Sequence, residues 1–276
     1  MYGMNKLSYL MRQIVVLLPM IFLIPTAQVH GMSFEKAQEL SSRYTSNEFL
    51  EKLVAQFNLD GVHANVVKEH FKAHYSNVKF LQKIFTEVEK SKDPGNDGGR
   101  ALVQRLSALW MYGGLRLIPY EQQLHYFVYM RNLTEVVSPS ECRALITGAS
   151  TEKLQSNQSI EFRYLNLVDA EILQNYFEMQ RAALDSYVSG VNVEREISNE
   201  QREIAKGSIA AEMNALLNYH QSGDELKEVW RNSSSATDAQ VCELGKVLME
   251  VFLRGDNDVN RLQVQHYLDR YTFAGS

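Results

Sequence analysis

The stretch TDAQVCELGKVLMEVFL, from Thr237 to Leu253, decides the fold. Val241, Leu244, Val247, Leu248, Val251 and Phe252 recur at three- and four-residue steps. That period lays one apolar stripe along a helix and does not alternate between the faces of a strand. Thr237 with Gln240 three residues on is a capping-box pattern: the hydroxyl accepts an orphan N–H of the first turn, and the amide side chain returns to the N–H of the cap. Gly255-Asp256-Asn257-Asp258 then reads as a turn.

The same period extends outward in both directions. Val259 to Tyr271 forms the last helix, with Leu262, Val264, Tyr267 and Leu268. Upstream, Gly223 and Asp224 open a helix carrying Leu226, Val229 and Trp230. Asn192 to Asn218 starts with Glu194, Arg195, Glu196, Glu200, Arg202 and Glu203, and turns apolar at Ile209, Met213, Leu216 and Leu217. A charge run of this kind is a solvated helix face. Ile160 to Val188 reads as one long helical run, with Asp169 as a weak internal restart and Ser189-Gly190 as its stop. Ser138-Pro139-Ser140-Glu141 is a strong start signal, with a cap, a proline at the first helical position and an acid to complete a capping box.

Before it lie Gln122 to Val137 and a run from Ala101 through Trp110 to Gly113-Gly114. Four further helices precede these: one capped by Ser33 and ending near Ser42, one after Ser46 running to Asn58, one from Ala64 to Tyr75, and one from Val78 to Lys90 that starts at Ser76 or Asn77. The fold class that follows is all-α, a multi-helix orthogonal or irregular bundle of about ten helices. Residues 91–99 gather Pro, Gly, Asn and Asp, each a turn former. The chain therefore divides into an N-terminal helical subdomain (32–91), a linker or surface loop (92–99) and a main helical domain (100–276).

Residues 1–31 carry Lys6 and Arg12 and no acid, then an apolar run from Ile14 to Ile24 closed by Pro25. Val29-His30-Gly31 suits cleavage after Gly31. The run is about eleven residues against the ~20 of a spanning helix, so it reads as a signal peptide, with a membrane anchor as the other reading. The expected location is the periplasm or the exterior, with no transmembrane segment after signal removal.

That compartment bears on Cys142 and Cys242, the two cysteines of the chain. A lone pair in an oxidising space is most simply a disulfide. Two buried thiols, or a reactive cysteine, are the other readings; neither residue belongs to a C-x-x-C pair. The net charge is -5, and losing Lys6 and Arg12 makes the remainder more acidic. This opposes a broad phosphate-binding surface, so no nucleic-acid partner is expected. With 15 glycines and 5 prolines the chain is neither fibrous nor disordered.

His63, His70 and His74 form the one histidine cluster, with Glu69 beside it. Zinc takes such ligands, but three or four must converge, and the spacing departs from H-E-x-x-H; no metal is assigned. Asp256-Asn257-Asp258 lacks the order of a calcium loop. Gly98-Gly99 and Gly113-Gly114 do not lead into the Lys-Ser/Thr of a phosphate loop, and there is no G-x-S-x-G. No cofactor and no catalytic residue is assigned.

Glu171, Glu178 and Glu212 sit beside apolar residues and are the candidate acids of a glycan hydrolase. Trp110, Tyr112 and Trp230 are candidate interface anchors, since such side chains concentrate at binding hot spots. Asn132, Asn157 and Asn232 open glycosylation patterns that matter only in a host with an endoplasmic reticulum. The reading that results is an exported helical protein that binds or inhibits a protein partner of the cell envelope, as an immunity-type protein does. A cell-wall glycan hydrolase with a glutamate acid and an envelope assembly factor are the alternatives.

Overall fold

Helix-forming sequence leads directly to helices. A computed structural model describes residues 34–90, 100–147, 163–190, 197–232 and 235–272. Within them lie twelve α-helices and no strand. They are α1 (Phe34–Tyr44), α2 (Asn47–Gln56), α3 (Gly61–Tyr75), α4 (Val78–Lys90), α5 (Arg100–Leu115), α6 (Tyr120–Val136), α7 (Pro139–Thr147), α8 (Ala170–Val188), α9 (Asn199–Tyr219), α10 (Gly223–Arg231), α11 (Asp238–Leu253) and α12 (Asp258–Thr272). A short 3-10 turn spans Leu165–Leu167. The all-α bundle is thus observed, with two more helices than the sequence reading counted. Among the described residues no helix is long and apolar enough to cross a membrane. The expected signal peptide at 1–31 and the expected linker at 92–99 lie outside the described residues.

Caps set most of the boundaries. At α11, Thr237 Oγ1 accepts from Gln240 N at 3.2 Å and Gln240 Oε1 accepts from Thr237 N at 2.8 Å. At α7, the Glu141 carboxylate accepts from Ser138 N at 3.1 Å while Ser138 Oγ takes Glu141 N at 3.4 Å. Three boundaries depart from the sequence reading. Ile160 to Val188 is not one helix: the chain makes the 3-10 turn first, and Asp169 then starts α8 by accepting from Glu171 N and Ile172 N. Two first-turn N–H groups satisfied by one carboxylate outweigh the apolar period that runs across the boundary.

The helix expected from Asn192 begins at Asn199, where Ser198 and Gln201 form a capping box; Glu194, Arg195 and Glu196 lie outside the described residues. In the third case α3 starts at Gly61, three residues earlier than Ala64. Asn58 has turned the chain through a positive φ of 51° just before it.

The helices sort into two compact units. The first contains α1–α5 and α8. Its tightest pairing is α5 on α8, because Gly114 presents no side chain there. A Cβ on Gly114 would lie 1.8 Å from the Ala183 carbonyl oxygen, so the two backbones touch. Tyr44 and Tyr75 pack at 5.0 Å between ring centroids and help fill the core among α1, α2 and α3. The helices α4 and α5, on either side of residues 91–99, both belong to this unit.

The second unit contains α6, α7 and α9–α12. Its centre is α11, which packs on every other helix of the unit. Phe127, Phe252 and Tyr267 meet in one aromatic cluster, with centroid distances of 4.7, 4.8 and 5.3 Å. Burying each such side chain contributes about 1.5–3 kcal/mol. The bridge Cys142–Cys242 joins α7 to α11, with the two Cα atoms 5.4 Å apart and 100 residues between them in sequence. Gly245, one turn below the bridge, makes room for Ile146 of α7.

Candidate functional site

The three histidines part company in the structure. His63, in the first turn of α3, places Nε2 2.9 Å from the Val168 carbonyl oxygen. His70 and His74 lie further along α3 and face inward, 1% and 5% exposed. Glu69 is exposed. Among the described residues no three His, Cys, Asp or Glu side chains converge as metal ligands.

His70 lies flat on Phe177 of α8, with ring centroids 3.8 Å apart. Its Nδ1 is 3.2 Å from Arg181 Nη1. A guanidinium only donates, so Nδ1 accepts, and this bond assigns the proton of the neutral ring to Nε2. Burial holds His70 well below the ordinary histidine range, and His74 and Arg181 add to that effect. Burial, with the Arg181 charge next, pushes His74 down to about 3. Both rings are therefore neutral near pH 7. Among the described residues His74 Nε2 has no hydrogen-bond partner. A buried polar atom left so costs about 1–3 kcal/mol and calls for an explanation.

The rings continue past His74. Phe80 of α4 meets it edge-on at 4.6 Å, Trp110 of α5 meets Phe80 at 6.0 Å, and Tyr187 of α8 stacks on Trp110 at 5.8 Å. Lys83 Nζ stands 5.3 Å from the centroid of both Trp110 and Tyr187, a cation–π arrangement that contributes about 0.5–2 kcal/mol. This row forms one wall of the first unit's interior.

A pocket of about 200 Å³ opens where α3, α4 and α8 meet. Buried His74, Phe80 and Leu184 make its floor. Half-buried Asn77 and Arg181 make its walls, and exposed Ala73, Ser76 and Asp185 its mouth. Asn77 is held at both ends: Oδ1 caps α4 by accepting from Phe80 N at 3.0 Å, and Nδ2 donates to Asp185 Oδ1 at 2.5 Å. Packing on the inner side of Asp185 raises its pKa, while the Asn77 bond and Arg181 pull the other way. Burial lowers the pKa of Arg181, opposed by Glu178, Asp185 and Glu69; a guanidinium remains charged throughout the physiological range. The pocket thus offers one cation, one carboxylate and one neutral imidazole around a small apolar floor.

The other sequence candidates fall elsewhere. Trp110 and Tyr112 are each 5% exposed and pack inside the first unit. Trp230 is half-buried near the end of α10. Glu171 and Glu178 are exposed on α8, and Glu178 accepts from Gln174 Nε2 at 3.0 Å. Glu212 accepts from Gln263 Nε2 at 2.8 Å in a polar seam between α9 and α12 that includes Ser208. None of these three glutamates lines the pocket. Thr134, which the glycosylation pattern at Asn132 needs, is buried inside α6.

No family model, no curated protein and no solved structure matches this chain.

Three pocket residues escaped the sequence reading. Asn77 registers there only as a helix start. Arg181 and Asp185 are one turn apart on a helix whose apolar period takes in Phe177 and Leu184 between and beside them. A basic and an acidic residue at that spacing next to core positions are the one local signal, and it is shared by every i,i+4 surface pair.

Proposed function

We propose that this chain is an exported, disulfide-stapled helical protein that acts by binding a protein partner in the cell envelope or outside the cell. The observation that carries the reading is the bridge between Cys142 and Cys242. Such bridges persist in oxidising compartments and are rare where thiols are kept reduced. The basic n-region and short apolar run of residues 1–31 support the same address.

Support for a binding role comes from α9. It is 21 residues long and buries only Ala205, Met213 and Leu217. It exposes Ile204, and it ends at Tyr219, which is 93% exposed. An exposed aromatic on a rigid helix is the kind of side chain that anchors an interface. The glycan-hydrolase alternative has less to rest on, because Glu171 and Glu178 stand in solvent and Glu212 is engaged by Gln263.

Two measurements test the reading. Cell fractionation with thiol alkylation before and after reduction is expected to find the protein outside the cytoplasm, with Cys142 and Cys242 reactive only after reduction. A photo-crosslinker at position 219 is expected to capture one discrete envelope protein, whereas the same probe at Val62, exposed on the first unit, does not. A cytoplasmic protein with two free thiols sinks the address, and identical crosslinks from both positions sink the binding role.

A further inference from the structure

We propose that the pocket between α3, α4 and α8 binds a small zwitterion of the α-amino acid class, with the ligand's carboxylate on Arg181 and its ammonium on Asp185.

Size comes first. A pocket of about 200 Å³ is slightly larger than the 150 Å³ or so that holds benzene in an engineered cavity. A free amino acid with a short side chain fits that space.

Charge comes second. Arg181 and Asp185 stand one turn apart on α8 and both line the pocket. A guanidinium matches a carboxylate in a planar fork, and a carboxylate takes an ammonium at short range. A bare anion is disfavoured, because Glu178, Asp185 and Glu69 all act on the Arg181 charge. A bare cation is disfavoured by the guanidinium itself. Arg181 Nη1 already donates to His70, its Nη2 stands 4.0 Å from Glu178 Oε1, and Asp185 Oδ1 already accepts from Asn77; a ligand that carries both signs adds a contact to each group through the atoms that remain.

The third observation is His74. Its Nε2 is buried and has no partner among the described residues, and the residue forms part of the floor. A neutral imidazole adds a hydrogen bond to the ligand without adding charge. Phe80 and Leu184 complete the floor with apolar surface, which suits a short apolar side chain over a polar one. The Asn77 bond fixes Asp185 before any ligand arrives, so little side-chain freedom is lost on binding.

The test is calorimetric titration of the oxidised full-length protein with glycine, L-alanine and L-valine, and with acetate and methylammonium as the two halves of the zwitterion. Alanine or valine is expected to bind, and each half at least about tenfold more weakly. Asp185→Asn keeps an oxygen acceptor for Asn77 and is expected to weaken alanine or valine binding about tenfold or more. Ala73→Leu, at an exposed helical position on the mouth, is expected to abolish binding without touching a charge. Thermal unfolding followed by circular dichroism checks that each variant remains folded; if Asp185→Asn does not, Ala73→Leu decides. The proposal is overturned if no amino acid binds up to about 10 mM, if acetate or methylammonium alone binds as well as alanine, or if Ala73→Leu leaves binding unchanged.

Discussion

In the unit of α6, α7 and α9–α12, Gln263 spans Ser208 and Glu212, and the Cys142–Cys242 bridge closes a loop of 100 residues. In the unit of α1–α5 and α8, Arg181 bonds a neutral histidine, Asp185 holds Asn77 at a pocket mouth, and His74 Nε2 has no partner among the described residues. Both units are built from helices of similar length and similar apolar stripes. They differ in what their interior polar groups do. In the stapled unit the polar seam helps fix which helix meets which. In the other, the buried His74 Nε2 is left without a partner among the described residues, beside the charged pair Arg181 and Asp185. Binding sites concentrate where a fold leaves such groups unsatisfied, because a ligand then gains what the fold has forgone.

The most direct way to break this comparison is to remove the staple. The double substitution Cys142→Ala with Cys242→Ala is expected to destabilise the protein by about 4–5 kcal/mol, following the loop-entropy scale for a loop of this length. Urea unfolding of the variant against the oxidised parent measures it. An unchanged midpoint would mean that the bridge is a passenger on helices already held together.

The next effect belongs to the other unit and is one of pH. His70 and His74 have folded-state pKa values below their unfolded value near 6.5. The folded state therefore binds fewer protons than the unfolded chain below that pH. Their contribution is fully present above about pH 6.5 and is lost as pH falls toward the folded values. Between pH 7.5 and pH 5 His74 is expected to remove about 2 kcal/mol, and His70 adds to the loss in the same direction. His74→Phe should reduce the slope of stability against pH in that window. A slope that this variant leaves unchanged would place the acid sensitivity elsewhere.

A smaller effect sharpens the packing side. Gly114→Ala forces a methyl group against the Ala183 carbonyl, where no side chain can move aside, and is expected to cost about 3 kcal/mol. Gly245→Ala is the matched control in the stapled unit. Its clash is with the Ile146 side chain, which can change rotamer, so a smaller loss is expected from the same thermal unfolding series. Last, Thr237→Ala removes the α11 cap and should cost about 1 kcal/mol.

Much of the fold was legible because capping and period are local. The signals at Thr237-x-x-Gln240 and Ser138-Pro139-Ser140-Glu141 lie within four residues of the bonds they make, and both helices start where those signals say. The errors arose where two local signals competed, as at Asp169, where an apolar period ran on through a real cap. Ser198 with Gln201 was equally readable, but the charged residues before it hid the start.

The candidate site was legible only in its histidines. Whether His70 and His74 face a metal, a partner or a core depends on α8, more than a hundred residues away, which brings Phe177 and Arg181 to them. Burial of Trp110 and Tyr112 is likewise a property of their neighbours: Trp110 stacks on Tyr187 and meets Phe80, and a tryptophan in sequence carries no mark of which side it will turn.

The order of helices along the chain has a consequence for how the protein is made. The first unit lacks one helix until late: α1–α5 come first, α6 and α7 go to the other unit, and only then does α8 arrive to cover Gly114. A chain emerging from its N-terminus cannot close either unit early, because each is split across the sequence. Long-range closure of this kind slows folding. For the exported chain proposed above, such delay keeps the polypeptide transportable. Under the export proposed above, the interleaved topology acts as a timer that delays native structure until the last helices have emerged and Cys142 can pair with Cys242.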